Sequence, residues 1–229
     1  MIPLNDENPT QNIPFITYTI ITVNILVFFN QFLFEGSGFV IKYGTIPYEI
    51  THFREIASRP EFQTPFANIF TLFTSMFIHG GFFHIASNML FLWIFGDNVE
   101  DLMGSFRFLL FYLLTGLISS LAQIIIAPSS TIPMVGASGA ISGVLGAYFL
   151  KFPKAKVKVL IIFIFFIQVI SVPAVIVLGF WFLMQIMSGF TSLDALDMGG
   201  VAWFAHIGGF IAGLIFVNKF QKRKVQIWY

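Results

Sequence analysis

Ser138 lies in Gly136-Ala137-Ser138-Gly139, where a turn-forming stretch gives way to an apolar one. His206 lies in Ala205-His206-Ile207-Gly208-Gly209, and His84 and Asn88 stand four residues apart in His84-Ile85-Ala86-Ser87-Asn88. A serine hydroxyl attacks a carbonyl carbon when a base takes its proton as the bond forms, and histidine suits that task near neutral pH. His and Asn donors aimed at the carbonyl oxygen would stabilise the charge that develops there. Ser138 and His206 are thus a candidate nucleophile and base, with His84 and Asn88 as candidate oxyanion donors. The same residues have a plainer use. Ser and Gly let membrane helices pack closely, and His or Asn bonds one helix to another. Which use applies depends on the elements that carry them.

Those elements belong in a membrane. The 229 residues are 57% hydrophobic and 10% charged, with a mean hydropathy of +0.85. Ordinary soluble domains carry about 25% charged residues, so too few polar side chains exist here to cover a surface facing water. Membrane lipid is the expected partner of much of the surface. A net charge of +1, with no basic tract interleaved with aromatics, argues against nucleic acid. There is no cysteine, hence no disulfide, thiolate nucleophile or Cys-ligated metal. No HExxH appears, and neither a metal nor a cofactor is expected. The first fourteen residues hold two acids and no Lys or Arg, unlike a cleaved signal peptide.

Charged residues and turn signals divide the chain into six expected spans, at about 14–34, 84–102, 108–126, 135–151, 159–182 and 201–218. Pro14 opens the first, Ala127 to Pro133 forms the turn between the third and fourth, and Pro173 is expected as a tolerated kink in the fifth. Gly199 and Gly200 introduce the sixth. A large outer loop, 35–83, carries seven charges and three prolines up to Pro65. The expected fold is an all-α membrane protein, a single domain over residues 1–229. Eight of the twelve basic residues fall in two short segments, Lys151 to Lys158 and Lys219 to Lys224, on one side of the six spans. By the positive-inside rule that side is cytoplasmic, which puts both termini inside. His84, Ser138 and His206 then lie near the outer ends of spans two, four and six, at similar shallow depth. His84 and Asn88 share a helix face. Gly139 and Gly143 on span four, with Gly209 and Gly213 on span six, would let those helices meet and bring His206 within reach of Ser138.

The motifs HxxxN in span two, GxSG in span four and AHxxG in span six, in that order, resemble the rhomboid intramembrane serine proteases over nearly the whole chain. The resemblance implies a six-transmembrane-helix rhomboid-like bundle in the cell membrane. It also implies that Ser138 is the nucleophile, His206 its base without a third acidic member, and His84 and Asn88 the side-chain part of an oxyanion hole completed by the Ser138 N–H. Substrates would be single-pass transmembrane proteins, cut near the outer membrane face. His79 resembles a histidine that structures the first loop, whereas His52 has no counterpart and is expected on a loop surface. The Trp-Arg pair of many members is missing from the first loop, where the sequence reads TIPYEITHFRE. A proteolytically inactive rhomboid-like scaffold or chaperone for membrane helices is the alternative, but it would need no Ser-His pair. A transporter or channel would call for charges inside the spans, away from the DNVEDL end of the second.

Overall fold

The structure is a computed structural model that describes residues 2–56, 63–163, 166–193 and 200–222. Gly199, Arg223 and Lys224, which entered the reading of spans and charge, lie outside them. In chain order the elements are strand β1 (Ile2–Asp6) and helices α1 (Phe15–Asn30), α2 (Ser37–Tyr43), α3 (Pro47–His52), α4 (Thr71–Thr74), α5 (Phe82–Met103), α6 (Ser105–Ile126) and α7 (Ser138–Lys151). Strands β2 (Lys156–Phe163) and β3 (Phe166–Pro173) follow, then helices α8 (Ala174–Thr191) and α9 (Trp203–Phe220). The long helices α1 and α5 to α9 pack into a bundle whose centre is aromatic and aliphatic. Phe95, Phe108, Phe111, Tyr112 and Tyr148 are fully buried there.

The fold is mostly helical rather than all-α. β1, β2 and β3 form an antiparallel sheet in that order, with Ile2 opposite Leu160 and Lys156 opposite Pro173. The expected fifth span, 159–182, is therefore wrong over its first half. Lys156 to Phe163 alternates polar and apolar only at its start and is then rich in β-branched Val and Ile, which favour a pleated strand. Val157 and Val159, two residues apart on one face, are completely buried against the bundle. Pro173 caps α8 instead of kinking a longer helix, because its fixed φ and missing N–H suit a helix start. Helix α7 likewise begins at Ser138, later than the expected 135, after Gly136 at φ +128.

Among the described residues, four helices are long and apolar enough to cross a membrane: Phe15–Phe34, Ser105–Ile126, Ala174–Thr191 and Trp203–Phe220. A fifth exists if Asn68–Phe77 and Phe82–Met103, bent by 79° at their junction, count as one span. Helix α7, with 14 residues, falls short of that length. Length and apolarity alone thus give four or five spans, not six.

Glu100 ties the end of α5 to the start of α1. Its buried carboxylate accepts from the Ile16 and Thr17 amides at 2.9 and 2.7 Å and from the Thr17 hydroxyl at 2.8 Å. Ser105 Oγ donates to it at 2.6 Å. A carboxylate on a helix N-terminus satisfies amides that have no intrahelical partner and opposes the positive dipole end. At the same end of the bundle, Tyr148 donates to Asp6 at 2.5 Å, and Asn8 to Asn98 at 2.6 Å, which fastens β1 beneath α5 and α7.

Candidate active site

Three helices begin at the opposite end of the bundle, and each carries part of one cluster. Ser138 is the first residue of α7, His84 the third of α5 and His206 the fourth of α9. Glycine seams set the distance between α7 and α9. A Cβ on Gly209 would collide with the Gly139 carbonyl, one on Gly213 with the Gly143 carbonyl, and one on Gly146 with the Phe210 carbonyl. These obstructions are backbone, which cannot rotate away as a side chain can. Gly139 and Gly143 turn their own missing side chains toward Ser119 and Thr115 of α6, so α7 is closely packed on two sides. Gln123 of α6 accepts from the Phe204 and Ala205 amides at 3.2 and 3.3 Å, capping the first turn of α9 just before His206.

The structure brings Ser138 and His206 into contact, with Oγ 2.7 Å from Nε2. The other ring nitrogen, Nδ1, is 2.8 Å from Oε1 of Gln185 on α8. Trp181, one turn before Gln185, and Trp203 flank the imidazole, each with ring centroids 6.1 Å from it. His84 lies on the far side of Ser138. Its Nδ1 accepts the Gly80 amide at 3.3 Å, which leaves Nε2 as the ring nitrogen that carries hydrogen. A side chain on Gly136 would stand 2.7 Å from that Nε2, so a glycine with a positive φ is needed to keep the space beside the serine open. Asn88, also buried, has an Nδ2 with no hydrogen-bond partner. Buried donors are nearly always paired, and this one lines a cavity.

That cavity measures about 1080 Å³ and is lined by His84, Asn88, Ser138, Gln185 and His206 among others. It can admit an extended peptide segment, and its polar groups converge on the serine. As the first residue of α7, Ser138 has a backbone N–H without an intrahelical acceptor. Behind the cluster, His79 is fully buried, with its ring 5.1 Å from that of His84 and its Nε2 3.5 Å from the Ala137 amide. It therefore props the turn that enters α7 rather than only the first loop. His52 is exposed and stacks on Tyr48, away from the site. Among the described residues, no three His, Cys, Asp or Glu side chains converge as metal ligands. Gln185 and Gln123 escape a reading of the sequence, since a single amide in an apolar run looks like interhelical packing. The four-residue step from Trp181 to Gln185, which places both on one helix face, is the signal that could have found the first.

A rhomboid domain family model matches residues 67–223, which hold every residue of this cluster. The chain belongs to the rhomboid family. It is similar to rhomboid protease GluP of Bacillus subtilis, 33% identical over 205 residues that cover 87% of this chain and 34% of that protein. It is also similar to the mitochondrial rhomboid protein 1 of Saccharomyces cerevisiae, 30% identical over 66% of this chain and 44% of that protein. The human mitochondrial presenilin-associated rhomboid-like protein is 28% identical over 68% of this chain and 41% of its own length. The chain spans between a third and under half the length of these relatives.

Proposed function

We propose that this rhomboid is an intramembrane serine endopeptidase, with Ser138 as nucleophile and His206 as general base, acting on single-pass transmembrane proteins. The observation that carries this reading is the 2.7 Å contact between Ser138 Oγ and His206 Nε2. As Oγ bonds to the scissile carbonyl carbon, its proton passes to Nε2 and the carbonyl π pair moves onto oxygen. Asn88 Nδ2, His84 Nε2 and the Ser138 N–H are the donors for that oxyanion. Collapse of the tetrahedral intermediate breaks the C–N bond, and the proton on Nε2 goes to the leaving amine. Water, deprotonated by the same nitrogen, then hydrolyses the acyl-enzyme and restores Ser138. A relative named as a protease supports the class of activity.

The site's depth follows from the shortness of α7. Fourteen residues rise about 21 Å, against roughly 30 Å of hydrocarbon. With Lys151 at the inner interface, Ser138 lies below the outer surface, shallow enough for water to reach. We assign the chain to the cell membrane as one domain, with α1, α5, α6, α7, α8 and α9 as six spans and both termini cytoplasmic. The sheet and Lys151, Lys154, Lys156 and Lys158 share the cytoplasmic end. The test is cleavage of a single-pass model substrate by purified protein in detergent. Wild type should cut it and Ser138→Ala should not, whereas equal cleavage by a folded Ser138→Ala protein would leave a helix-binding scaffold as the better account.

A further inference from the structure

An amide side chain can present either a donor or an acceptor to a histidine, and which it presents decides where the ring proton sits. Gln185 is 6% exposed and reaches His206 Nδ1 from α8. Its other end fixes its orientation, since Nε2 donates to the Trp181 carbonyl one turn earlier at 3.1 Å. Flipping the amide would set two oxygens against each other at Trp181. The oxygen is therefore what faces the ring, and an oxygen only accepts. Nδ1 must then carry the hydrogen, and a neutral imidazole protonated on Nδ1 keeps its lone pair on Nε2. That is the nitrogen 2.7 Å from Ser138 Oγ.

We propose that Gln185 is a positioning residue that holds His206 in the one tautomer able to take the Ser138 proton. The role rests on the Ser138–His206 reading above. Gln185 exchanges no proton itself. When Nε2 receives the hydrogen from Oγ, the Nδ1–H bond to Gln185 stays in place and keeps the ring aimed through both steps. A neutral acceptor does this without adding a carboxylate to the cluster. Because Gln185 and Trp181 both belong to α8, the same contact makes a correctly aimed His206 depend on α8 being seated against α9.

The experiment compares full-length wild type, Gln185→Met, Gln185→Glu and Ser138→Ala in detergent. Methionine keeps the volume and removes the acceptor, while glutamate keeps an acceptor at the same reach. Cleavage kinetics are read together with the ring nitrogen chemical shifts of 15N-labelled histidine. The chain has four histidines, and the His206 signals are identified as those lost in His206→Ala. Gln185→Met should lower kcat about tenfold to a hundredfold while KM changes less than about twofold. Its His206 shifts should move away from those of the Nδ1–H tautomer. Gln185→Glu should recover at least part of kcat and keep the Nδ1–H signature. Unchanged kcat and shifts in Gln185→Met, or loss of the signature in a folded Gln185→Glu, would overturn the role. Cleavage by Ser138→Ala would sink the Ser138–His206 reading itself. An inactive Ser138→Ala beside a fully active Gln185→Met would remove only the positioning role.

Discussion

Asn88 is the residue that most directly tests the proposed oxyanion hole. Its buried Nδ2 makes no hydrogen bond to another protein group, so truncation breaks none there. Asn88→Ala should therefore leave the protein at least as stable thermally while lowering kcat on a model substrate by about a hundredfold or more, as loss of one oxyanion donor does. A destabilised Asn88→Ala protein with full activity would instead mark the side chain as structural. Ser138, His84, Asn88 and His206 were legible in the sequence as candidates because polar residues at fixed spacings stand out in apolar helices. Gln185 was not, because its partner is 21 residues away on another helix and its partner's orientation is a matter of packing. Glu100 was read only as part of a charged span end, though its four hydrogen bonds join α1, α5 and α6.

At the scale of elements, the sheet is where sequence and structure part most. Residues 159–173 are apolar enough to pass for part of a span, and hydropathy does not distinguish an apolar strand from a helix. The alternation Lys156-Val157-Lys158-Val159 and the β-branched run after it carried the strand signal, while Pro173 was misjudged as an interior kink. Pairing of β1 with β2, 150 residues apart, depends on tertiary contacts that no local pattern records. One of those contacts is sensitive to pH. Burial pushes the Asp6 carboxyl from its ordinary 3.8 up to about 6, despite the hydrogen bond from Tyr148 that favours its ionised form. The attached strand thus holds the Asp6 proton more tightly than a detached one. Its contribution to attachment is full below about pH 4 and is lost as pH rises through about 6. Amides of β1, corrected for intrinsic exchange rates, should be better protected at pH 5 than at pH 7, and Asp6→Asn should remove the difference. Equal protection at both pH values would contradict the assigned role of Asp6.

For the whole molecule, the decisive property is that the serine end and the lysine-rich end lie at opposite ends of one bundle. Reporter fusions after Lys158 and Lys222 should therefore report the cytoplasm, and one after Leu193 the outside. An outside signal after Lys158 would reverse the orientation and place the Ser138 end inward. Six apolar runs are legible in the sequence, but α7 is only 14 residues long and α5 needs the bent segment before it, so length and apolarity give four or five spans among the described residues and six is the proposed count. In the proposed placement that shortness is also what sinks Ser138 below the outer surface. The central claim is that Ser138 is a nucleophile activated by His206, and labelling by a fluorophosphonate, which reacts with activated serines, tests it most directly. Intact mass analysis should find one adduct on wild type, located on Ser138, none on Ser138→Ala, and far slower labelling of His206→Ala. A wild-type protein that cleaves substrate but resists the probe, or a folded Ser138→Ala protein labelled as fast as wild type, would contradict it.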